Sequence, residues 1–246
     1  LFDMDGTLTD ARCSISEDVV KTLSKLTGMK KYLVTGSDIV KVEEQIPNEI
    51  LLSLFERVYT CNGTKVYNCN LDMDDETRPV ELELIHKTSL MDFYSEADMT
   101  HIINVLLKTA YKTHTKIKTG TFVEWRDSQI NFSVIGRNCS QDQREDYVKW
   151  DNKSGERKKI IDDLREQFKG WGLSFRLGGQ ISIDITREGW DKSYAFSNMV
   201  ESPDGCIFFG DKICKDGNDF DIAMKCAKYH NVEGPADLLL HLQEYL

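Results

Sequence analysis

Two aspartates separated by one residue close the first apolar stretch of the chain, and a glycine follows at once: Leu1-Phe2-Asp3-Met4-Asp5-Gly6-Thr7-Leu8-Thr9. A short apolar run that stops at acidic residues and a glycine reads as a strand giving way to a tight turn. The pattern recurs. Tyr32-Leu33-Val34 stops at Thr35-Gly36-Ser37-Asp38, Arg57-Val58-Tyr59-Thr60 at Asn62-Gly63, and Cys206-Ile207-Phe208-Phe209 at Gly210-Asp211. Amphipathic segments lie between these runs. Ser14-Ile15-Ser16-Glu17 has capping-box spacing with Val20, Leu23 and Leu26 behind it, and Asp38 is placed to cap a helix carrying Val42 and Ile46. Strands alternating with helices predict βαβ units on a parallel sheet. In such sheets ligands bind outside the carboxyl ends of the strands, which is where these polar turns fall.

From Arg78-Pro79 onward the pattern changes. A helix carrying Ile102, Ile103, Leu106, Leu107 and Ala110 precedes a hairpin, with strands over 121–125 and 130–135 about a turn at Asp127-Ser128. A second helix, with Ile160, Ile161, Leu164 and Phe168, leads to strands over 173–177 and 181–185 joined at Gly178-Gly179. Helices gathered with antiparallel strands predict an α+β insert. After Trp190 a helix and then the strand at 206–209 restore the first pattern, and a closing helix runs from Pro235 to Tyr245. The expected fold is α/β: a Rossmann-like parallel-sheet core, residues 1–78 and 188–246, interrupted by an α+β cap over 79–187. The acidic stretch Asp72-Met73-Asp74-Asp75-Glu76 reads as a solvated loop.

Composition narrows the class. With 246 residues, 40% of them hydrophobic, the chain sustains a buried core without disulfides or structural metals. A net charge of −10, from 41 acidic and 31 basic residues, argues against nucleic acid or an anionic membrane as partner. A small phosphorylated substrate needs only a local cluster of Arg and Lys. Seven cysteines, an odd number without a C-x-x-C pair, point to a reduced, cytoplasmic protein. Sequons at Asn62, Asn131, Asn138 and Asn152 then read as chance occurrences. No apolar run reaches the length of a membrane span and no signal-peptide pattern precedes the first strand. The chain opens at Leu1, without Met and already within a strand, so the natural N-terminus is expected upstream.

Asp3 and Asp5, at a strand end opening into a glycine turn, can face one small site. Neighbouring carboxylates repel, so keeping both ionised calls for a cation, and oxygen ligands suit Mg²⁺. Taken as two residues alone they read equally as loop or helix-capping aspartates. The whole string D-x-D-G-T-[LI]-T after an apolar run resembles the signature of the haloacid dehalogenase-like phosphotransferases. That resemblance implies Asp3 as the nucleophile toward phosphorus, Asp5 as general acid/base with its main-chain carbonyl on Mg²⁺, and Thr7 holding the loop. It further implies phosphate contacts from Thr35 and Ser37, charge neutralisation by Lys192 in Gly189-Trp190-Asp191-Lys192, and metal ligation by Asp3 and Asp211, with Asn218 and Asp219 in or near the metal's shell. Singly, these residues read as a hydroxyl turn, a surface lysine and an acidic turn; their order along the chain, each at the end of its element, carries the likeness.

Three stretches of the insert resemble the eukaryotic-type phosphomannomutases: Gly120-Thr121-Phe122-Val123-Glu124-Trp125-Arg126, then Ile135-Gly136-Arg137-Asn138-Cys139-Ser140-Gln141 with Arg144, then Gly178-Gly179-Gln180-Ile181-Ser182-Ile183-Asp184. By position, Arg12, Arg126, Arg137, Arg144, Gly179, Ser182 and Asp184 match that family's substrate-binding residues. Arg presents a planar fork that grips phosphate oxygens, and Ser182 and Asp184, two apart on a strand, share one face. The resemblance implies interconversion of mannose 6-phosphate and mannose 1-phosphate through a phosphoryl-aspartate, in support of GDP-mannose synthesis. A hexose 1,6-bisphosphate would be both intermediate and activator, hexose phosphates the partners, and the cap the surface of a homodimer. Two positions depart from the family pattern: Thr35 stands where it has Gly, and Ile222-Ala223-Met224-Lys225 lacks the Asp-containing stretch of a second, structural cation site. A Mg²⁺-dependent sugar-phosphate phosphatase using the same Asp3 and Asp5, and a non-catalytic sugar-phosphate-binding protein, are the alternatives.

Overall fold

A computed structural model describes residues 1–69, 82–199, 201–215 and 217–246. The acidic stretch 72–76 and the expected boundary at 78/79 lie outside the described residues. In chain order the elements are α1 (Glu17–Lys25), β1 (Tyr32–Val34), α2 (Ile39–Gln45), α3 (Asn48–Leu54), β2 (Arg57–Thr60), β3 (Lys65–Asn68), β4 (Glu83–Lys87), α4 (Glu96–Lys112), β5 (Val123–Trp125), β6 (Gln129–Ser133), α5 (Gln141–Ser154), α6 (Glu156–Gln167), β7 (Leu173–Gly178), β8 (Ser182–Arg187), β9 (Ile207–Gly210), α7 (Phe220–Ala223), β10 (Lys228–Asn231) and α8 (Pro235–Leu242). They form two compact units, Leu1–Lys87 with Trp190–Leu246, and Thr88–Gly189.

The first unit is built on a mixed sheet whose centre is the chain's opening residues. Phe2 bridges in parallel to both Leu33 of β1 and Phe209 of β9. Its N–H donates to the Tyr32 carbonyl and its own carbonyl accepts from Val34 N–H, both at 2.9 Å. The sheet therefore runs β10, β9, Phe2, β1, β2, β3, β4, parallel up to β2 and antiparallel beyond it. Strands covered on both faces are apolar throughout rather than alternating, and all three residues of β1 are buried. One face packs Phe2, Leu33, Val58 and Phe209 with Val19 and Leu23 of α1, Val42 of α2, Leu51 of α3 and Leu238 of α8. The other face buries Tyr32, Val34, Tyr59 and Phe208 with Ala195 and Ile222. Helix α1 begins two residues later than the Ser14 spacing suggests: Ser16 is its cap, accepting from Val19 N–H, with Glu17 and Asp18 in the first turn where the helix dipole favours acids.

In the second unit four antiparallel strands stand in the order β5-β6-β8-β7. Met99, Ile102 and Leu106 of α4 and Ile160, Ile161 and Leu164 of α6 are buried, as are Ile130, Phe132, Phe175, Ile183 and Ile185 of the sheet. Leu107, read from the sequence with the apolar stripe of α4, is instead 46% exposed. Helix α5 opens on a capping box between Ser140 and Gln143 and stops at Gly155, whose φ of 63° is left-handed. Across that break Arg157 and Asp151 form a buried pair, with Arg157 Nε donating to Asp151 Oδ2 at 2.7 Å. The guanidinium also donates from Nη1 to the carbonyls of Gly179 and Ser182, each at 3.0 Å, so one side chain ties the α5–α6 junction to the β7–β8 turn.

Removing one partner of a buried ion pair strands the other charge, at a cost of about 3–5 kcal/mol. Asp151→Ala is therefore expected to lower the urea midpoint of unfolding clearly, while Asp142→Ala, exposed on the same helix, leaves it within error.

Candidate active site

Asp3 stands at the carboxyl end of the central strand position, its N–H held by the Phe209 carbonyl at 2.9 Å. The loop after it folds back on itself: Leu8 and Thr9 N–H donate to the Met4 carbonyl, Gly6 N–H to that of Thr9, and Thr9 Oγ1 to Gln45 Oε1 at 2.8 Å. Gly6 has a φ of +86°, and a Cβ there would lie 2.5 Å from Asp211 Oδ2. The loop thus lies directly against the carboxylate that follows β9. A second glycine, Gly210, makes room for Asp219, whose Oδ2 would lie 2.7 Å from a Cβ at that position. Asp219 Oδ2 accepts from Lys212 N–H at 3.0 Å, closing the turn that returns it to the strand end.

Lys192 lies between these acids. Its side chain has no solvent exposure, and its ammonium donates to Asp3 Oδ1 and, at 2.5 Å, to Asp219 Oδ1. Lys192 opens a 3₁₀ helix, Lys192–Asn198, capped by Asp191. That helix is seated on the Cys61–Gly63 turn, where a Cβ at Gly63 would lie 2.6 Å from Ala195 N. Burial pushes the Asp3 carboxyl up to about 7; Lys192 opposes that shift and Asp219 adds to it. For Lys192, burial works against the ammonium, but Asp3 and Asp219 more than offset it and its pKa is raised.

Asp3, Asp211 and Asp219 bring one carboxylate oxygen each within 4.8 Å of one another. Lys192 answers two of these acids, and the largely exposed Lys212 binds Asp211 Oδ2 at 2.7 Å. Asp211 Oδ1 is buried without a hydrogen-bond partner. Three carboxylates against two ammoniums, with one buried acceptor oxygen unpartnered, is a donor set that a hard divalent cation fits.

The remaining candidates of this unit are placed less centrally. Asp5 is half-buried and its Oδ1 accepts from Arg12 N–H at 3.1 Å, so its carboxylate holds the turn at Arg12, which has a φ of 63°. The Arg12 side chain is exposed. Thr35 is buried with Oγ1 accepting from Ser37 N–H at 3.1 Å, and Ser37 is half-buried beside it. Asn218 is exposed and immediately precedes the buried Asp219.

The second unit gathers a different set. Register places Glu124 opposite Asn131 and Asn131 opposite Asp184, one row across β5, β6 and β8. Asn131 Nδ2 donates to Asp184 Oδ1 at 2.6 Å, and Arg137 Nη1 donates to Asn131 Oδ1 at 2.8 Å. Arg126 and Arg137 both bond to Glu124 Oε2. The Asp184 carboxylate lies over Gly178, whose Cβ would meet it at 2.5 Å. Ser182 is buried in the neighbouring row, opposite Ser133. Gly179 follows β7 in the turn that Arg157 holds. Arg144, half-buried in the first turn of α5, makes no side-chain hydrogen bond among the described residues. Glu124, Asn131 and Arg157 had no role at the site on sequence grounds; for Glu124 the available signal was its spacing of two from Arg126.

Comparison with solved structures places the fold. A haloacid dehalogenase-like hydrolase from Bacteroides thetaiotaomicron matches with a TM-score of 0.61 at 13% identity, over 100% of this chain and 98% of its own. The Plasmodium falciparum IMP-nucleotidase matches with a TM-score of 0.63 at 16% identity, over 99% of this chain and 65% of its own. The protein has a haloacid dehalogenase-like α/β fold. A family model for eukaryotic phosphomannomutase matches residues 18–246. The Galdieria sulphuraria phosphomannomutase is 38% identical over 99% of this chain and 92% of its own length, and a probable phosphomannomutase of Caenorhabditis elegans 37% identical over 100% and 94%. The chain belongs to the eukaryotic phosphomannomutase family.

Gly6→Ala combines a left-handed φ with a clash against Asp211. Strain alone costs about 1–3 kcal/mol, so the variant is expected to melt several degrees lower, whereas Gly28→Ala, with a φ of +75° but open space around it, should lose less.

Proposed function

We propose that the protein interconverts mannose 6-phosphate and mannose 1-phosphate by phosphoryl transfer through Asp3, with hexose 1,6-bisphosphate as intermediate and activator. The observation that carries this reading is the fully buried Lys192 held between Asp3 and Asp219 beside the unpartnered Asp211 Oδ1. Asp3 is the nucleophile: its carboxylate oxygen forms the bond to phosphorus as the bond to the sugar oxygen breaks. Lys192 is already placed on Asp3 and would offset charge on the phosphoryl oxygens. Asp5 would give a proton to the departing sugar oxygen and take one from the attacking hydroxyl, exchanging its present bond to Arg12 N–H for the substrate. Thr35 and Ser37 would donate to the phosphoryl group.

Mg²⁺ would be held by Asp3, Asp211, Asp219 and the Asp5 carbonyl, and would supply the positive charge that lets an anionic nucleophile approach an anionic phosphate. Asn218, at the mouth of the same turn, completes the proposed set. The bisphosphate serves as activator because the resting Asp3 carries no phosphate to give. Arg126, Arg137 and Arg144 of the second unit would hold the sugar's other phosphate, while Gly179, Ser182 and Asp184 meet the sugar; Arg12 of the first unit is a further substrate-binding candidate. Exposed Phe93, Leu107 and Tyr111 on the second unit support pairing of two copies there. All seven cysteines are free, which supports a reducing, cytoplasmic setting. No described helix is long and apolar enough to cross a membrane.

The test follows mannose 1-phosphate with Mg²⁺ and a trace of hexose 1,6-bisphosphate, recording mannose 6-phosphate and free phosphate together. Bisphosphate-dependent mannose 6-phosphate with little free phosphate is expected, and Asp3→Asn should abolish it. Free phosphate as the main product would replace the mutase with a phosphatase. Separately, Mg²⁺ should raise the melting temperature of the wild type and do so less in Asp211→Asn; equal shifts in the two would remove Asp211 from the metal's ligands.

A further inference from the structure

Glu124 Oε2 accepts two N–H groups from Arg126, Nε at 3.0 Å and Nη2, and forms an ion pair with Arg137, whose Nε lies 3.2 Å away. The Nε–Nη2 edge of Arg126 is the fork that would otherwise meet two oxygens of a phosphate, and here it is spent on a carboxylate of the same strand. All three side chains keep access to solvent, at 40% for Glu124, 24% for Arg126 and 35% for Arg137. An incoming anion can therefore reach the guanidiniums, but it meets one positive charge where two arginines alone would offer two.

Arg137 does not depend on Glu124 alone, since it is also held by the buried Asn131, itself fixed by Asp184. The hairpin sets the Arg126 backbone, its N–H donating to the Gln129 carbonyl at 2.7 Å, while its guanidinium rests on Glu124. We propose that Glu124 is an internal competitor for the phosphate clamp: its carboxylate takes the donors of Arg126 and Arg137 whenever phosphate leaves, and so keeps the clamp reversible. The inference rests on the mutase reading, and that reaction supplies the reason. A bisphosphate intermediate must leave the clamp by one phosphate and return by the other, and a clamp that binds too tightly traps it.

Glu124→Gln keeps the size and removes the charge. Stronger ground-state binding lowers KM and slows release together. For partly exposed ion pairs the expected change is a fall of about two- to fivefold in the KM for mannose 1-phosphate and in kcat, with kcat/KM moving little, and a matching fall in the inhibition constant of inorganic phosphate. Arg137→Ala, run alongside, should raise both KM and the phosphate inhibition constant. If Arg137→Ala weakens phosphate while Glu124→Gln leaves it unchanged or weaker still, the competitor role is overturned and the clamp stands. If neither substitution moves phosphate inhibition, the clamp reading falls and the inference with it. Should Glu124→Gln not fold, Glu124→Ala is measured in its place, with the same signs expected.

Discussion

A lysine ammonium with no exposure to water is tolerable only when its hydrogen bonds and its charge are answered inside the protein. Lys192 meets that condition through Asp3 and Asp219, which arrive from opposite ends of the chain's sequence. Much of the first unit's architecture serves this meeting. The opening residues are inserted between β1 and β9 so that Asp3 emerges at the shared strand end. Gly6, Gly63 and Gly210 each stand where a Cβ would push apart two of the converging segments. The same enclosure that keeps Lys192 charged concentrates carboxylates beyond what the lysines neutralise, so the site has an electrostatic deficit before any substrate enters.

The features legible in the sequence were those fixed locally. All of β1 and three of the four residues of β2 are buried because both faces of the sheet are covered, and the two strands span Tyr32–Val34 and Arg57–Thr60. Asp38 caps α2 through its own spacing, with Oδ1 accepting from Lys41 N–H. Asp3, Asp211 and Asp219 could be grouped through the resemblance of their motifs, helped by the places of Asp3 and Asp211 at the ends of apolar runs. What escaped was set by distant partners. β10, Lys-Tyr-His-Asn, is mostly exposed and shows no apolar alternation, yet the parallel pairing with β9 makes it a strand. Helix α5 has too narrow an apolar face to register as periodic, with Tyr147 and Asp151 its only buried residues. Two serines, Ser14 and Ser16, competed for one cap, and the register of the buried Val19 and Leu23 chose the second.

The second unit illustrates a further limit. Its motif arginines were visible as residue types, but their company was not, because antiparallel register decides which side chains face one another. Only once Glu124, Asn131 and Asp184 are in one row does the set become a connected polar network. Arg157 carried no signal at all. An arginine nine residues after a mid-helix Tyr–Val pair reads as a solvated surface residue, and its burial depends on Asp151 and on carbonyls more than twenty residues away.

The two units thus present opposite charge surpluses. In the first, the carboxylates of Asp3, Asp211 and Asp219 outnumber the ammoniums of Lys192 and Lys212, so the cluster by itself repels a phosphate dianion and favours a cation. In the second, guanidiniums outnumber the carboxylates they touch, and an anion can be held without a metal. Arginines alone can position a phosphate but offer it no nucleophile, and that role is the one proposed for Asp3.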